Sequence, residues 1–136
     1  MALLRDGIFW PSLVQLADLI DIKLLERTEK EVRAQVPVTD ALKQPLGLVH
    51  GGVYASVAEA LTSMATAMAV MDDGFIATGM ANATSFLRPM TEGTIHAEAT
   101  RLHRGRTSWV WDVRFTDDDG RLCAITRMTI AVRPRP

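Results

Sequence analysis

The sequence is poor in the features that mark several large classes of protein. Its 136 residues include a single cysteine, Cys123, so no internal disulfide can form, which is typical of a reducing compartment. The formal net charge is −1 and Lys and Arg are scattered, so no basic surface is available for a nucleic acid or a membrane. The first twenty residues contain Arg5, Asp6, Pro11 and Asp18, whereas a secretory signal needs an unbroken apolar run. These absences predict a cytoplasmic protein with no nucleic-acid or membrane partner.

One long apolar run is present, over residues 51–70. The length of the chain predicts a single domain, residues 1–136. Glu59 is the only charged residue of the run, and Leu61 is its only leucine. Ala, Ser, Thr and Gly insert weakly into a bilayer, and no Lys/Arg asymmetry flanks the run, so we expect a core helix. An ionised carboxylate buried there costs on the order of several kcal/mol unless the fold uses it.

Apolar periodicity predicts helices and strands on both sides of this run. A short amphipathic helix over residues 12–20, capped by Ser12, and a strand over 21–28 come first. Asp118-Asp119-Gly120 predicts a hairpin between the last two strands. Strands with alternating apolar residues are predicted over 31–39, 75–88, 93–103, 106–116 and 121–132.

The short turns between the last four strands favour an antiparallel meander. Its apolar face needs a cover, and the helix over residues 53–70 is the only element apolar enough to provide one. We therefore predict an α+β fold in which a curved antiparallel sheet wraps a long central helix. Such wrapping would explain why the helix is apolar on nearly every side.

Gly51 and Gly52, just before the predicted helix, are candidates for binding a substrate oxygen. The first amides of a helix point outwards and carry partial positive charge, which stabilises an anion or a developing oxyanion. Glycine also lets a ligand approach the backbone. A sharp turn alone would require the same residues, and both interpretations remain open.

Glu59 lies eight residues after Gly51, about 12 Å along a helix axis. One carbonyl group cannot touch both residues. If the Gly51 amide holds the carbonyl oxygen and Glu59 attacks the same group, the two belong to different chains, which predicts a two-fold dimer with two equivalent sites. The alternative is a buried structural carboxylate bound to a backbone group or an arginine, the commoner fate of such residues.

Three further residues near this pair are candidates with open alternatives. Ser63, one turn after Glu59, could orient the carboxylate or be a small residue at a crowded contact. Gln44 and His50 could donate to a thioester, and His50 could instead cap the turn.

Two other groups of residues are candidate binding sites. A metal site from His50, His96 and His103 is rejected, because His96 and His103 are expected on opposite faces of one strand and no Cys or Asp stands at ligand spacing. Basic and hydroxyl residues at predicted strand ends could bind the phosphates of coenzyme A, although most surface arginines are merely solvated. These residues are Arg88, Arg104, Arg106, Thr107, Arg133 and Arg135.

The segment Leu48-Val49-His50-Gly51-Gly52, followed by Glu59, resembles the hot-dog fold acyl-CoA thioesterases of the phenylacetate-pathway and 4-hydroxybenzoyl-CoA types. The likeness covers roughly residues 36–136 and is greatest for the Arthrobacter-type 4-hydroxybenzoyl-CoA thioesterase. It continues through residues 83–89, 92–93, 97–99, 107–113, 119–124 and 130–134.

This resemblance implies a homodimer, assembled into a homotetramer, that hydrolyses an acyl-CoA or aroyl-CoA without a metal or bound cofactor. By position, Gly51 would polarise the thioester carbonyl, and Glu59 of the partner chain would be the nucleophile or general base. Gln44 would contact the substrate near the thioester, and Ser63 falls where the Arthrobacter-type enzyme has a Thr serving the Glu and water. Arg88 and Thr107 match positions that hold the nucleotide of CoA; Arg106 replaces a small hydroxyl residue there.

We therefore expect an acyl-CoA thioesterase that favours aryl substrates such as 4-hydroxybenzoyl-CoA. We expect this enzyme to act in the degradation of aromatic compounds. Two other functions remain as alternatives. One is a hot-dog enoyl-CoA hydratase or dehydratase, and the other is an acyl-CoA binding protein in which Glu59 is structural. Release of free thiol distinguishes the thioesterase from both.

Overall fold

A long helix packs on one six-stranded antiparallel sheet in the computed structural model, which describes residues 15–136. The predicted α+β fold is therefore confirmed. The helices are α1 (Leu16–Ile20) and α2 (Gly51–Val70), and single 3-10 turns cover Asp40–Leu42 and Met71–Asp73. The strands are β1 (Lys23–Arg27), β2 (Glu31–Pro37), β3 (Phe75–Phe86), β4 (Thr94–Arg104), β5 (Ser108–Thr116) and β6 (Leu122–Pro134).

The order of the strands in the sheet is β1-β2-β4-β5-β6-β3, so the predicted meander is wrong for β3. Short loops join β4 to β5 and β5 to β6 as hairpins, but β3 lies at the far edge, paired with β6 from Phe75↔Pro134 to Phe86↔Ala124. The connection after β3, residues 87–93, is longer than a hairpin loop and crosses the end of the sheet. Alternation of apolar residues carries no information about this order.

The alternation itself predicted the buried faces of the strands correctly. Val32, Ala34 and Val36 of β2 are buried. The alternating residues Trp109, Trp111, Val113 and Phe115 of β5 are buried too. These side chains form a core with one face of α2, where the Trp111 indole N–H donates to Thr66 Oγ1 at 3.0 Å. That bond satisfies the polar atom of a fully buried tryptophan.

As predicted, the sheet wraps α2 over most of its circumference, and a narrow face of the helix around Glu59 stays uncovered in the single chain. Buried residues such as Val57 and Leu61 face the sheet, whereas Glu59 is exposed. By length and composition, residues 51–73 could cross a membrane, but more than half of the segment is buried against the rest of the fold. The uncovered face of α2 is therefore the one that a second copy could cover.

Both predicted helices begin at other residues in the structure. α2 starts at Gly51, because the side chain of His50 caps it and draws both glycines into the first turn. α1 is five residues long, and the predicted cap Ser12 lies outside the described residues.

Candidate functional site

The first turn of α2 presents one free backbone donor. His50 Nδ1 accepts a hydrogen bond from Gly52 N at 2.9 Å, and the His50 carbonyl accepts one from Val53 N at 2.9 Å. Within residues 15–136, no group accepts from the Gly51 N–H, which is one of the helix-end amides that lack an intrahelical partner. His50 is thus the N-cap of α2, which was the second of the two interpretations offered for it. Gly51 carries the free N–H that could bind an anion or an oxyanion.

A cavity of about 490 Å³ opens beside this amide. Gln44 and Arg88 both line this cavity. The side-chain oxygen of Gln44 accepts a hydrogen bond from the Leu46 amide. The remaining wall is largely apolar and comes from Leu48, Val49, Gly51, Tyr54, Phe86, Leu87, Pro89 and Met90. The structure therefore brings together the predicted residues Gln44, Gly51 and Arg88.

The ring of Phe86 explains why residue 51 is a glycine. A Cβ atom on Gly51 would lie 2.7 Å from Phe86 Cε1 and 2.8 Å from Phe86 Cζ, which is closer than real Cβ contacts. The last residue of β3 therefore packs directly on the first residue of α2 and forms one wall of the cavity.

Tyr54 supplies the aromatic floor of the same cavity. Its ring centroid lies 5.2 Å from that of Phe115, edge-on, and 6.3 Å from that of Phe86. Its hydroxyl is buried without a hydrogen-bond partner in the described part of the chain, and burial raises the pKa of Tyr54 to about 12. The phenol therefore stays neutral at physiological pH.

Glu59 lies on α2, outside this cavity, and is exposed. Its carboxylate forms no hydrogen bond or ion pair with any residue between 15 and 136, so the structural alternative, a carboxylate held by a backbone group or an arginine, is not observed there. Oε1 instead lies against Gly79 of β3, 2.5 Å from where a Cβ of that residue would stand. Ser63, one turn later, has a buried hydroxyl with no partner among the described groups, so it does not bind Glu59 within one chain.

A second cavity, of about 560 Å³, lies at the other end of α2. Arg106, Thr107 and Arg133 line it together with Arg104, and Arg133 Nη1 donates to the Thr107 carbonyl at 2.7 Å. Arg88 is not part of this group, because it lies at the opposite end of the helix. The predicted phosphate grip is thus divided between two cavities within one chain.

The histidines do not converge on a metal site. Across the residues that the structure covers, no group of three His, Cys, Asp or Glu side chains could hold a metal ion. The expectation that His96 and His103 face opposite sides is wrong, because a β-bulge just before His103 shifts the alternation by one residue. His96 Nε2 instead contacts Asp118 Oδ1 at 2.8 Å, and this hydrogen bond lowers the pKa of the Asp118 carboxyl.

Sequence reasoning missed two contacts at the site. Phe86 against Gly51 and Gly79 against Glu59 both join β3 to α2. Each depends on the crossing of β3 to the sheet edge, which no local pattern encodes. A glycine inside an otherwise regular strand was the one available signal for Gly79.

Known proteins match the chain in sequence and in fold. The sequence model of the Thioesterase superfamily matches residues 46–124. A thioesterase from Pseudomonas aeruginosa, crystallised as a mutant with alanine in place of a glutamine, is 35% identical and has a TM-score of 0.84, over 88% of this chain and 86% of that chain. A Staphylococcus aureus thioesterase is 28% identical, with a TM-score of 0.84, over 88% of this chain and 98% of that chain. A Haemophilus influenzae thioesterase is 29% identical, with a TM-score of 0.80, over 87% and 82%. The expected hot-dog arrangement is thereby confirmed.

Proposed function

This chain belongs to the Thioesterase superfamily and is a thioester hydrolase, and we propose that it cleaves acyl-CoA and aroyl-CoA thioesters in a site built by two subunits. One observation carries the proposal. The free amide of Gly51 and the unpartnered carboxylate of Glu59 lie on the same rigid helix, eight residues apart. At the helical rise, about 12 Å separate them, so a single carbonyl group meets both only if they come from different chains.

The exposed edge of the sheet supports a dimer. β3 is twelve residues long, pairs with β6 alone among the strands of residues 15–136 and is exposed along most of its length. An edge strand of this kind is a template for pairing with another chain. A two-fold axis across β3 would set the two α2 helices antiparallel, and each Glu59 would approach the helix start of the other chain. A homotetramer made of two such dimers is the further assembly that we propose.

The chemistry follows from the two groups. The carbonyl oxygen of the thioester accepts from the Gly51 N–H, which together with the helix dipole stabilises negative charge on that oxygen. Glu59 of the partner subunit takes a proton from water while the water oxygen bonds to the carbonyl carbon. The C–S bond then breaks, the leaving thiolate takes the proton that Glu59 holds, and the acid is released with the Glu59 carboxylate restored. Direct attack by the carboxylate, through an anhydride that water then hydrolyses, uses the same positions.

The spacing of two residues in a relative supports these roles. Structures of the S. aureus protein contain alanine in place of a glutamine and alanine in place of a glutamate, fifteen positions apart. Gln44 and Glu59 are also fifteen positions apart here. We propose that Gln44 contacts the thioester at the mouth of the cavity, beside the Gly51 amide.

The lining of the cavity favours an aromatic acyl group such as 4-hydroxybenzoyl. Tyr54 and Phe86 form adjacent walls whose rings are inclined by 47°, and the rest of the wall is mostly aliphatic. A planar ring held between such faces gains from stacking in addition to burial.

The nucleotide of CoA is proposed to lie across the dimer. In an antiparallel pair of helices, the Arg88 end of one subunit comes alongside the end of the other that carries Arg106, Thr107 and Arg133. Guanidinium groups bind phosphates with paired hydrogen bonds, so the divided grip becomes continuous in the assembly.

A panel of thioesters tests the proposal. We expect free thiol from benzoyl-CoA and 4-hydroxybenzoyl-CoA with kcat/KM at least about tenfold higher than from acetyl-CoA, because a small acyl group leaves the aromatic pocket unfilled. The matched N-acetylcysteamine thioesters, which lack the nucleotide, should show a raised KM. Release of thiol from none of these compounds would contradict the proposal.

The hydratase alternative is not favoured by the position of His50. Its ring faces the helix start and holds the Gly52 amide, so it has no free role as an acid or base one carbon beyond the carbonyl. Crotonyl-CoA that gains water without releasing thiol would instead favour that alternative.

A further inference from the structure

Gly79, in the middle of β3, leaves a gap that the carboxylate of Glu59 fills. A Cβ atom on this residue would stand 2.5 Å from Glu59 Oε1, 3.4 Å from Cδ and 3.6 Å from Cγ. The first of these distances is impossible for real atoms, so a side chain at position 79 and the present position of the carboxylate exclude each other.

The backbone at Gly79 does not itself require glycine. Positive φ angles occur at Gly47, Gly74, Gly93 and Gly120, but not at Gly79. Glycine also weakens a strand relative to alanine, by its backbone entropy and its missing side chain. The carboxylate of Glu59 is instead what a side chain at position 79 would meet, because the three nearest atoms to an added Cβ all belong to Glu59.

The strand is also bent and anchored at this place. A β-bulge interrupts the pairing of β3 with β6 between Gly79 and Ala81. Asn82 Nδ2, just beyond the bulge, donates to the Ala55 carbonyl at 3.0 Å, one helical turn before Glu59. Bulges are common beside active sites, where they re-aim a side chain. Here the bulge begins at the residue that faces the carboxylate of Glu59.

We propose that Gly79 is a positioning residue for hydrolysis: its missing side chain forms a slot on β3 that holds the carboxylate of Glu59 in the orientation for attack. The inference rests on the proposed role of Glu59. Gly79 touches neither substrate nor water in this account and acts only through the carboxylate. Because the neighbouring atoms are the flexible end of an exposed side chain, filling the slot displaces the carboxylate and leaves the fold intact.

The first test is Gly79→Ala. We expect kcat to fall about a hundredfold, since a displacement of about 1 Å at the reacting group has an effect of that size, while KM stays within about threefold. The midpoint of thermal unfolding should stay the same or rise, because alanine suits a strand better than glycine. A merely structural role would give the opposite pattern, with a lowered midpoint and a kcat that falls only in proportion to the unfolded fraction.

A double-mutant cycle connects the effect to the carboxylate. Glu59→Asp withdraws the carboxylate by one methylene group and should lower kcat about a hundredfold in the wild-type background. In the Gly79→Ala background the same change should cost less than about tenfold, because the shorter side chain no longer meets the added methyl group. If the loss of kcat in the double variant equals the product of the losses in the two single variants, the proposal is overturned.

Thr100→Ile is the matched control, since it also adds one heavy atom to a strand. Thr100 is exposed on β4, which β5 and β6 separate from β3, and this variant should have an unchanged kcat. A Gly79→Ala enzyme with wild-type kcat, or one that does not fold, would overturn the inference. If Glu59→Gln hydrolyses thioesters normally, the proposed function itself fails; if that variant is inactive while Gly79→Ala is fully active, only the slot fails.

Discussion

A Glu59→Gln variant is expected to lose at least about a thousandfold in kcat while folding and assembling as the wild type does. The amide of glutamine matches the carboxylate in size but can neither take a proton from water nor attack a carbonyl carbon. The fold should tolerate the change, because Glu59 is exposed and makes no hydrogen bond or ion pair within residues 15–136. Thiol release under saturating substrate measures the loss, and thermal unfolding and size-exclusion chromatography verify the fold and the assembly.

Glu98→Gln is the control for this variant. Glu98 is exposed on β4, so the same chemical change there should leave kcat within about twofold, as surface substitutions usually do. An active Glu59→Gln enzyme would contradict the catalytic role of the carboxylate.

A Gly51→Ala variant is expected to lose about a hundredfold in kcat/KM. The added Cβ lies 2.7 Å from the ring of Phe86, and ordinary contact needs about 1 Å more, so the ring must move. Phe86 is 60% exposed, and the ring can move without loss of the core. The movement shifts the cavity wall next to the amide that would hold the carbonyl oxygen. Steady-state kinetics with benzoyl-CoA measure the effect.

Phe86→Leu separates the ring from the backbone in this experiment. The smaller side chain relieves the contact, so the double variant Gly51→Ala/Phe86→Leu should recover part of the activity lost by Gly51→Ala alone, a coupling between neighbouring residues. A Gly51→Ala enzyme within about threefold of wild type, or a double variant that is worse than either single one, would contradict the packing at the start of α2.

The strands show what a local pattern can predict and what it cannot. Alternation identified the buried faces of β2, β5 and β6, because every second residue of a half-buried strand meets the same environment. It could not place β3 at the sheet edge, since the choice of neighbour depends on loop length and on the packing of distant segments. The predicted helix begins at residue 53, two residues after the observed start of α2, because glycines have low helix propensity and the sequence leaves the cap at His50 as one of two interpretations.

The candidate site divides in the same way. Gly51 and Gln44, expected to meet the same substrate, do lie together at one cavity. Arg88 was expected in the phosphate grip with Arg106 and Thr107, but it lines the Gly51 cavity instead. Glu59 was expected to be buried, but it is exposed, because the sheet of one chain leaves the face of α2 that carries Glu59 uncovered. The slot at Gly79 depends on a contact between residues twenty positions apart, on elements whose adjacency follows from the crossing of β3.

Heterodimers of two inactive subunits provide the most direct test of a site shared between chains. Glu59→Gln and Gly51→Ala chains carrying different affinity tags are co-expressed, and the doubly tagged dimer is purified. If the Gly51 amide and the carboxylate act across the interface, one of the two sites contains both intact groups, and the heterodimer should show about half of the wild-type kcat. A heterodimer no more active than its two parent homodimers would show that each site is built from a single chain.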